Sequence, residues 1–189
     1  HLVLDVTDAR AVREQIAARG PFQILVNNAG MNRPKELVQL DDEDIDAVLN
    51  LNVKAAFHVT RVVTRGLLSA GLPGSIINVS SQMGHVGSPR RTLYCASKHA
   101  IEGMSKALAW ELGPAGIRVN TVCPTFIETE LTADMFKDEA FRAWAIGKIA
   151  LGRLGRTDEI MGAIVFLASD AASLVTGSAL MLDGGWTAA

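Results

Sequence analysis

A chain of 189 residues with 49% hydrophobic content is long enough for one domain with a sizeable core. Its net charge of −2 includes no basic surplus, so we expect neither nucleic acid nor a membrane surface as a partner. No apolar run approaches the ~20 residues of a membrane span, and no signal peptide opens the chain. The two cysteines, Cys95 and Cys123, make no disulfide framework, which predicts a cytoplasmic protein with reduced thiols.

Short apolar runs alternate with longer amphipathic ones, a pattern typical of an α/β domain with a parallel sheet and helices on both faces. We expect one domain, 1–189, with strands at LVLDV (2–6), FQILVNNAG (22–30), GSIINVSS (74–81), IRVNTVCP (117–124) and ALMLDGG (179–185). The predicted helices are 8–19, with Asp8 as N-cap, 42–69, with Asp41 as N-cap, 93–112, ending at Gly113-Pro114, and 157–168.

The segment 125–156 is long and mixed in character, and it joins a predicted strand to a predicted helix. In an open α/β sheet the ligand crevice lies at this end of the strands. Long connections at such a place are more often lids than structural excursions. We therefore predict that 125–156 is a substrate lid.

The pattern with the most chemical content is a serine, a tyrosine thirteen residues later and a lysine four residues beyond, at Ser81, Tyr94 and Lys98. Tyr94 and Lys98 would lie one turn apart on one helix face. A nearby ammonium lowers the pKa of a phenol, and about 3 pH units, or roughly 4 kcal/mol, would bring Tyr94 near neutrality. Ser81 ends a predicted buried strand. The set predicts an enzyme that moves a proton at a carbonyl or alcohol oxygen.

With these residues, the order of Asp5-Val6, NNAG (27–30), Asn52, the proline of CPTFIET and the terminal LDGG resembles the short-chain dehydrogenase/reductase family, single-domain type. The likeness runs from residue 4 to residue 185. It implies a doubly wound, Rossmann-like sheet and an oxidoreductase that interconverts a ketone and a secondary alcohol with NAD or NADP. The implied substrate is a small sugar, polyol or 3-oxoacyl compound, and similar proteins are commonly homotetramers.

The resemblance assigns roles to four catalytic residues. Tyr94 is the general acid/base, Lys98 lowers its pKa and binds the nicotinamide ribose, and Ser81 orients the substrate oxygen. Asn52 opens its helix locally and holds a water that relays protons to Lys98. Ser80 and Asn50 are the neighbouring competitors, and the family interval to Tyr94 and the NVKAAF context favour Ser81 and Asn52.

The resemblance also implies a cofactor-binding set. Its members are Asp5, Val6, Asn28, Ala29, Gly30, Tyr94, Lys98, Pro124, Ile127 and Thr129. Thr125 stands where the family usually has glycine, which puts the local backbone shape in question. His85, Arg90 and Arg91 lie between Ser81 and Tyr94, where an arginine would bind a carboxylate or a phosphate or would be a solvent-exposed loop charge.

Gln82, Met83 and Trp144 are candidate pocket walls. We expect no metal site, because no His, Cys, Asp or Glu group has metal-ligand spacing and the acidic run 41–46 is typical of a solvated helix start.

No glycine-rich turn of the G-x-G-x-x-G kind follows a predicted strand, although the family opens with one. We therefore expect two βα units upstream of residue 1 in the native protein. Without them LVLDV has no neighbouring strand, the apolar edge of ILVNNAG stays open, and the 189 residues alone should not fold stably. The residue that distinguishes NAD from NADP would lie in those units.

Two alternatives to an enzyme share this fold. One is a protein that binds the nicotinamide cofactor as a sensor without catalysis. The other is a structural subunit in which the long helices 42–69 and 93–112 contact other subunits.

Overall fold

A four-stranded parallel sheet organises the protein in a computed structural model, which describes residues 1–188 except for the side chain of Leu131. The strand order is β1-β2-β3-β6, and β4 pairs with β5 in a separate short ladder. The strands are β1 (Ile24–Asn27), β2 (Gly74–Val79), β3 (Ile117–Pro124), β4 (Ile127–Glu128), β5 (Gly155–Arg156) and β6 (Ala179–Leu182). The helices are α1 (Ala9–Ala17), α2 (Asp42–Leu49), α3 (Ala55–Ala70), α4 (Thr92–Leu112), α5 (Glu130–Ala133), α6 (Glu139–Gly147) and α7 (Thr157–Ala168).

Helices cover both faces of the sheet, as predicted. Successive side chains of a strand point to opposite faces, so Ile76 and Ile77 of β2 enter different cores. Ile76 packs with residues of α1, α3 and α4, among them Leu67, whereas Ile77 packs with Leu167 of α7. Because both faces are buried, apolar residues of β2 and β3 point to both sides of the sheet, and β3 also carries Asn120 and Thr121 in buried positions.

The N-terminal segment LVLDV is not a strand, which corrects the sequence prediction. Residues 2–5 have no regular secondary structure, and Val6 lies in a turn closed by the Asp8 N–H donating to the Asp5 carbonyl at 3.2 Å. A strand needs a neighbour for its backbone groups, and no described strand pairs with this segment. The outer edge of β1 is open and apolar, as predicted, with Ile24 54% and Val26 38% exposed.

Both predicted acidic N-caps are present. The Asp8 carboxylate accepts hydrogen bonds from the backbone N–H groups of Arg10 and Ala11, and the Asp41 carboxylate accepts one from Asp44. These bonds satisfy amides that have no partner inside a helix. The predicted helix 93–112 appears as α4, and 157–168 matches α7.

The predicted helix 42–69 is interrupted. A five-residue π-helical segment, Asn50–Lys54, separates α2 from α3, and α3 ends at Gly71, which has φ 62°. Such π segments are frequently found at functional sites. The remaining short turns are 3₁₀ segments at Leu37–Gln39, Gln82–Gly84, Gly113–Ala115, Met135–Lys137, Asp170–Ala172 and Trp186–Ala188.

The segment 125–156 contains β4, α5, α6 and β5 and is built around an aromatic cluster. Phe126 lies between Phe136, Phe141 and Trp186, with ring centroids 5.6–5.8 Å apart, and Trp144 contacts Phe141 at 5.7 Å. Aromatic packing therefore holds this segment over the end of the sheet. Among residues 1–188, no helix is long and apolar enough to cross a membrane.

Candidate active site

One cavity gathers most of the predicted site at the carboxyl ends of the strands. It has a volume of about 290 Å³ and lies where the chain leaves β1, β2 and β3, beside the N-terminal part of α4. The site residues that line it are Asn28, Gly30, Ser81, Tyr94, Lys98, Pro124, Ile127 and Thr129. Because parallel strands end at the same edge, positions up to a hundred residues apart meet here.

Ser81 is buried directly after β2, and its hydroxyl is held in place. It donates to the Gln82 side-chain oxygen at 2.7 Å and accepts from the Met83 N–H at 3.1 Å. Its proximity lowers the pKa of Tyr94, although burial is the larger effect there. The neighbouring Ser80 hydroxyl is also buried but has no hydrogen-bond partner among the described residues. The geometry therefore associates Ser81 with the tyrosine.

Tyr94 and Lys98 lie one turn apart in α4, with the ammonium 5.5 Å from the ring centroid. The Lys98 ammonium is buried and donates to the Val79 carbonyl at 2.9 Å. Burial lowers the pKa of Lys98 to about 8, while Cys123 and Glu102 oppose that shift.

The main influence on the pKa of Tyr94 is burial. We expected the ammonium to bring it toward neutrality, but burial raises it above its usual value. Removing a phenolate from water disfavours the charged form, and here that effect is larger than the opposing influence of Ser81. Burial therefore favours the neutral phenol form of Tyr94.

Asn52 lies inside the π-helical segment, where the sequence predicted a local opening, and that prediction is confirmed. Its side-chain oxygen accepts from the Met31 N–H at 2.8 Å, and its amide donates to the Met31 carbonyl at 2.9 Å and to Ser97 at 3.0 Å. Asn52 thus ties the loop after β1 to the helix that carries Tyr94 and Lys98. The water relay stays a prediction.

The cavity fits the nicotinamide end of a dinucleotide. Two buried oxygens in its lining residues, Asn32 Oδ1 and Thr125 Oγ1, have no partner among the described residues, as expected where a polar ligand binds. Gly30 lies next to Asn52 and Lys98, because a Cβ at this position would be 3.4 Å from Asn52 Oδ1 and 3.7 Å from the Lys98 ammonium, both ordinary contact distances.

Three predicted cofactor residues do not line the cavity. Asp5 is exposed, and its carboxylate accepts from the backbone and hydroxyl of Thr7, which lowers its pKa. Val6 packs against the core formed by α1, α3 and α4. Ala29 is exposed between two lining residues.

A second cavity of about 500 Å³ is lined by residues of 125–156 and by the loop before α4. Phe126, Phe141 and Trp144 supply its apolar wall, and Arg90 and Arg91 supply positive charge. Arg91 is 8% exposed, and its guanidinium has one described hydrogen bond, to the Arg90 carbonyl at 3.4 Å. Burial lowers the pKa of Arg91, because no acidic partner compensates for the lost hydration.

The structure also forms a polar cluster that the sequence spacing did not reveal. His85, Glu102 and Cys123 lie on three different elements, and their ligand-type atoms all lie within 4.8 Å of one another. The sequence expectation of no metal site rested on spacing along the chain, and it stays an expectation. His85 lies here rather than in the lining of either cavity described above. Only the fold brings these residues together.

A family model described as Enoyl-(Acyl carrier protein) reductase matches residues 2–187. The 3-oxoacyl-[acyl-carrier-protein] reductase FabG of Thermotoga maritima is 44% identical over 187 residues, covering 97% of this chain and 75% of that protein. The chain belongs to the short-chain dehydrogenase/reductase family. As a family member it is an oxidoreductase that acts on CH–OH groups with NAD or NADP. The D-erythrulose reductase of Gallus gallus is 39% identical over 185 residues, covering 98% of this chain and 75% of that protein.

Solved structures of family members superpose closely on this short-chain dehydrogenase/reductase. A putative 2-deoxy-d-gluconate 3-dehydrogenase from Agrobacterium tumefaciens, with bound NADP, has a TM-score of 0.95 at 38% identity, covering 100% of this chain and 76% of that one. A gluconate 5-dehydrogenase from Burkholderia cenocepacia, in complex with NADP and tartrate, has a TM-score of 0.95 at 36% identity, covering 100% and 75%.

Proposed function

We propose that this enzyme interconverts a ketone and a secondary alcohol of the sugar, polyol or 3-oxoacyl type, with Tyr94 as the general acid/base. The observation that carries the proposal is the convergence of Ser81, Tyr94 and Lys98 on one cavity. When bound, NAD(H) or NADP(H) exchanges a hydride with the carbinol carbon. Asn28, Gly30, Pro124, Ile127 and Thr129 would hold its nicotinamide end, whereas Asp5, Val6 and Ala29 remain predictions from the resemblance.

The protonation state of Tyr94 supports a role in reduction. Because burial raises its pKa, the phenol carries a proton at neutral pH that it can donate to a carbonyl oxygen. For oxidation Tyr94 must first become phenolate. The Lys98 ammonium, 5.5 Å from the ring centroid, and the Ser81 hydroxyl favour that form. Ser81 would also donate a hydrogen bond to the developing oxyanion.

Asn52 would be a positioning residue that holds other parts of the site in place. Its hydrogen bonds to Met31 and Ser97 hold the loop after β1 against α4, which keeps the cavity wall and the Lys98 side chain in register. The segment 125–156, packed through its aromatic cluster, would serve as the substrate lid.

The Arg91 guanidinium favours a sugar or polyol that bears a carboxylate. It is buried in the lining of the larger cavity, and the two acidic residues of that lining are already engaged. Asp134 pairs with Lys137 at 2.6 Å, and Asp138 caps α6. A carboxylate can accept two hydrogen bonds from one guanidinium, so an anionic substrate would supply the missing partner.

The aromatic wall favours a second candidate, a 3-oxoacyl thioester. Phe126, Phe141 and Trp144 present an apolar surface suited to an acyl chain. Reduction rates with keto sugars, keto sugar acids and 3-oxoacyl thioesters separate the two. If the sugar acid is the substrate, Arg91→Leu should raise its KM at least tenfold and change that of a neutral keto sugar little. Equal effects on both would contradict the carboxylate contact.

Tyr94→Phe tests the mechanism. We expect kcat to fall by about 10²–10⁴-fold, the usual contribution of a general acid/base, with cofactor binding by calorimetry nearly unchanged. Unchanged turnover would remove Tyr94 from the mechanism, and loss of cofactor binding together with turnover would indicate a structural role. Tyr94 is the chain's single tyrosine, so the near-ultraviolet tyrosinate band reports its ionisation directly.

We also propose that the protein is a homo-oligomer, with a tetramer as the expectation. α3 and α4 expose large apolar side chains, with Phe57 49%, Leu68 50% and Trp110 88% exposed. Light scattering on the purified protein measures the mass, and a monomer at micromolar concentration would refute this proposal.

A further inference from the structure

Three side chains from different elements meet in the His85–Glu102–Cys123 cluster. Glu102 lies one helical turn from Lys98 in α4. His85 follows the 3₁₀ turn after β2, Glu102 lies in α4 and Cys123 lies in β3. His85 Nε2 is 3.5 Å from Glu102 Oε1 and 3.5 Å from Cys123 Sγ, and Cys123 Sγ is 3.2 Å from Glu102 Oε1. The three atoms thus form a nearly equilateral triangle.

The size of this triangle matches one face of a zinc coordination tetrahedron. Zinc binds nitrogen and oxygen at about 2.0–2.2 Å and sulfur at about 2.3 Å, so neighbouring ligand atoms lie roughly 3.3–3.7 Å apart. The observed separations of 3.2–3.5 Å require shifts of only a few tenths of an ångström. By contrast, 3.5 Å between the imidazole nitrogen and the carboxylate is too long for a strong hydrogen bond.

A fourth donor is available beside the triangle. The buried Ser80 hydroxyl has no hydrogen-bond partner among the described residues, yet it lies close enough to Cys123 to lower the pKa of that thiol. Gly84 leaves space there, because a side chain at that position would come within 2.9 Å of Ser80 Oγ and 3.1 Å of Glu102 Cγ. His85 has 28% of its side chain exposed and provides a route from solvent.

We propose that His85 Nε2, Glu102 Oε1 and Cys123 Sγ bind a zinc ion, with the Ser80 hydroxyl or a water as the fourth ligand. Imidazole, carboxylate and thiolate are the three protein ligand types that zinc accepts. The Thr121 hydroxyl donates to the other carboxylate oxygen of Glu102 at 3.0 Å, which fixes the carboxylate, whereas Oε1 accepts from the Cys123 thiol at 3.2 Å, whose proton zinc would replace.

Binding is coupled to one proton. Burial raises the pKa of the Cys123 thiol to about 12, so the thiol is neutral at physiological pH. The Cys123 S–H bond breaks as the zinc–sulfur bond forms, and the proton leaves to solvent. No electron is transferred. Zinc affinity should therefore increase as the pH rises.

Zinc binding should also lower the pKa of Lys98. Binding of Zn²⁺ with loss of the thiol proton makes the charge of the cluster more positive by one unit. Glu102 and Cys123 raise the pKa of Lys98 against the lowering effect of burial, and zinc would weaken that support. We expect zinc to inhibit oxidation of the alcohol. This consequence rests on the proposed role of Lys98, whereas the zinc site itself does not.

Cobalt titration tests the site. The purified protein is treated with a chelator and titrated with Co²⁺, then with Zn²⁺ in competition. We expect one equivalent of tetrahedral Co²⁺ with a thiolate-to-cobalt charge-transfer band in the near ultraviolet, and zinc should displace it. Cys123→Ser should lose this band, and Cys95→Ser should keep it. Cys95 is the matched control because the chain has only these two cysteines.

The ligand variants complete the test. His85→Ala, which changes a partly exposed side chain and should preserve the fold by circular dichroism, should weaken zinc binding at least tenfold, as should Glu102→Gln. Absence of the charge-transfer band at millimolar Co²⁺, or its persistence in Cys123→Ser, would overturn the proposal. A bound metal that leaves oxidation kinetics unchanged would overturn only the coupling to Lys98.

Discussion

Replacing the catalytic lysine should stabilise the protein near neutral pH. Lys98 is 6% exposed, and burial lowers its pKa from 10.5 to about 8. That difference of about 2.5 pH units corresponds to roughly 3 kcal/mol by which folding disfavours the ammonium. Lys98→Met removes this cost but leaves the Val79 carbonyl without its donor at 2.9 Å, a loss of about 1–2 kcal/mol. We expect a net gain in unfolding free energy of about 1–2 kcal/mol at pH 7.

The pH dependence of this difference identifies its cause. The folded-state pKa of Lys98 is below the unfolded value, so the unfolded chain binds more protons between about pH 8 and 10.5. The wild-type protein therefore gains stability across this window, and Lys98→Met lacks that gain. Below pH 8 the variant should be the more stable protein. Above pH 10.5 it should be the less stable one, because the lost hydrogen bond remains.

Urea unfolding of both proteins at pH 7, 9 and 10.5 locates the pH at which their free energies of unfolding are equal. Groups that titrate alike in both proteins cancel when one free energy is subtracted from the other. Lys106→Met is the matched control, since Lys106 is an exposed lysine on the same helix. It should show no comparable pH-dependent difference. A Lys98→Met variant that is less stable than wild type at pH 7, or a difference that is constant with pH, would refute the reasoning.

Two further predictions concern the fold. A side chain at Gly74 would lie 2.7 Å from a leucine methyl of α3 and 3.0 Å from a backbone oxygen, so Gly74→Ala should destabilise the protein by about 1–3 kcal/mol in urea unfolding. Gly103→Ala, where a side chain meets nothing within 4 Å in the middle of α4, should stabilise it by about 0.5–1 kcal/mol, and equal effects would contradict this packing argument. The buried Asp44 carboxylate accepts hydrogen bonds from Lys35 and Arg33, which lower its pKa from 3.8 to about 2. The contribution of the Asp44 carboxylate to the free energy of unfolding is complete above about pH 4 and is lost as the pH falls toward 2. Asp44→Asn should therefore flatten the decline in melting temperature on the acid side. Parallel declines in the two proteins would count against this prediction.

Elements with a strong local signal were predictable. The strands β2 and β3 are buried on both faces, so their sequences are rich in β-branched and other apolar residues. Asp8 and Asp41 are N-caps because a short carboxylate reaches amides two or three residues ahead. The LVLDV segment has strand composition but no described neighbour to pair with. Composition therefore misled there, because pairing is not a local property.

The proposed catalytic set could be read from the sequence itself. Tyr94 and Lys98 must share a helix face at a spacing of four, and Ser81 must lie at the sheet edge because it ends an apolar run. Both relations follow from local geometry, so the amino-acid sequence alone was enough to predict the family and to propose these residues, which the structure brings to one cavity.

The pKa shifts of Tyr94 and Lys98 and the formation of the His85–Glu102–Cys123 cluster depend on the tertiary structure. Burial raises the pKa of Tyr94 and lowers that of Lys98, and the depth of burial depends on segments far away in the chain. His85, Glu102 and Cys123 lie 17 and 21 residues apart on three elements, so no spacing rule joins them. The physical reason is the same in both cases: desolvation and close approach are set by how the elements pack together, whereas helical spacing and strand alternation are set by neighbouring residues alone.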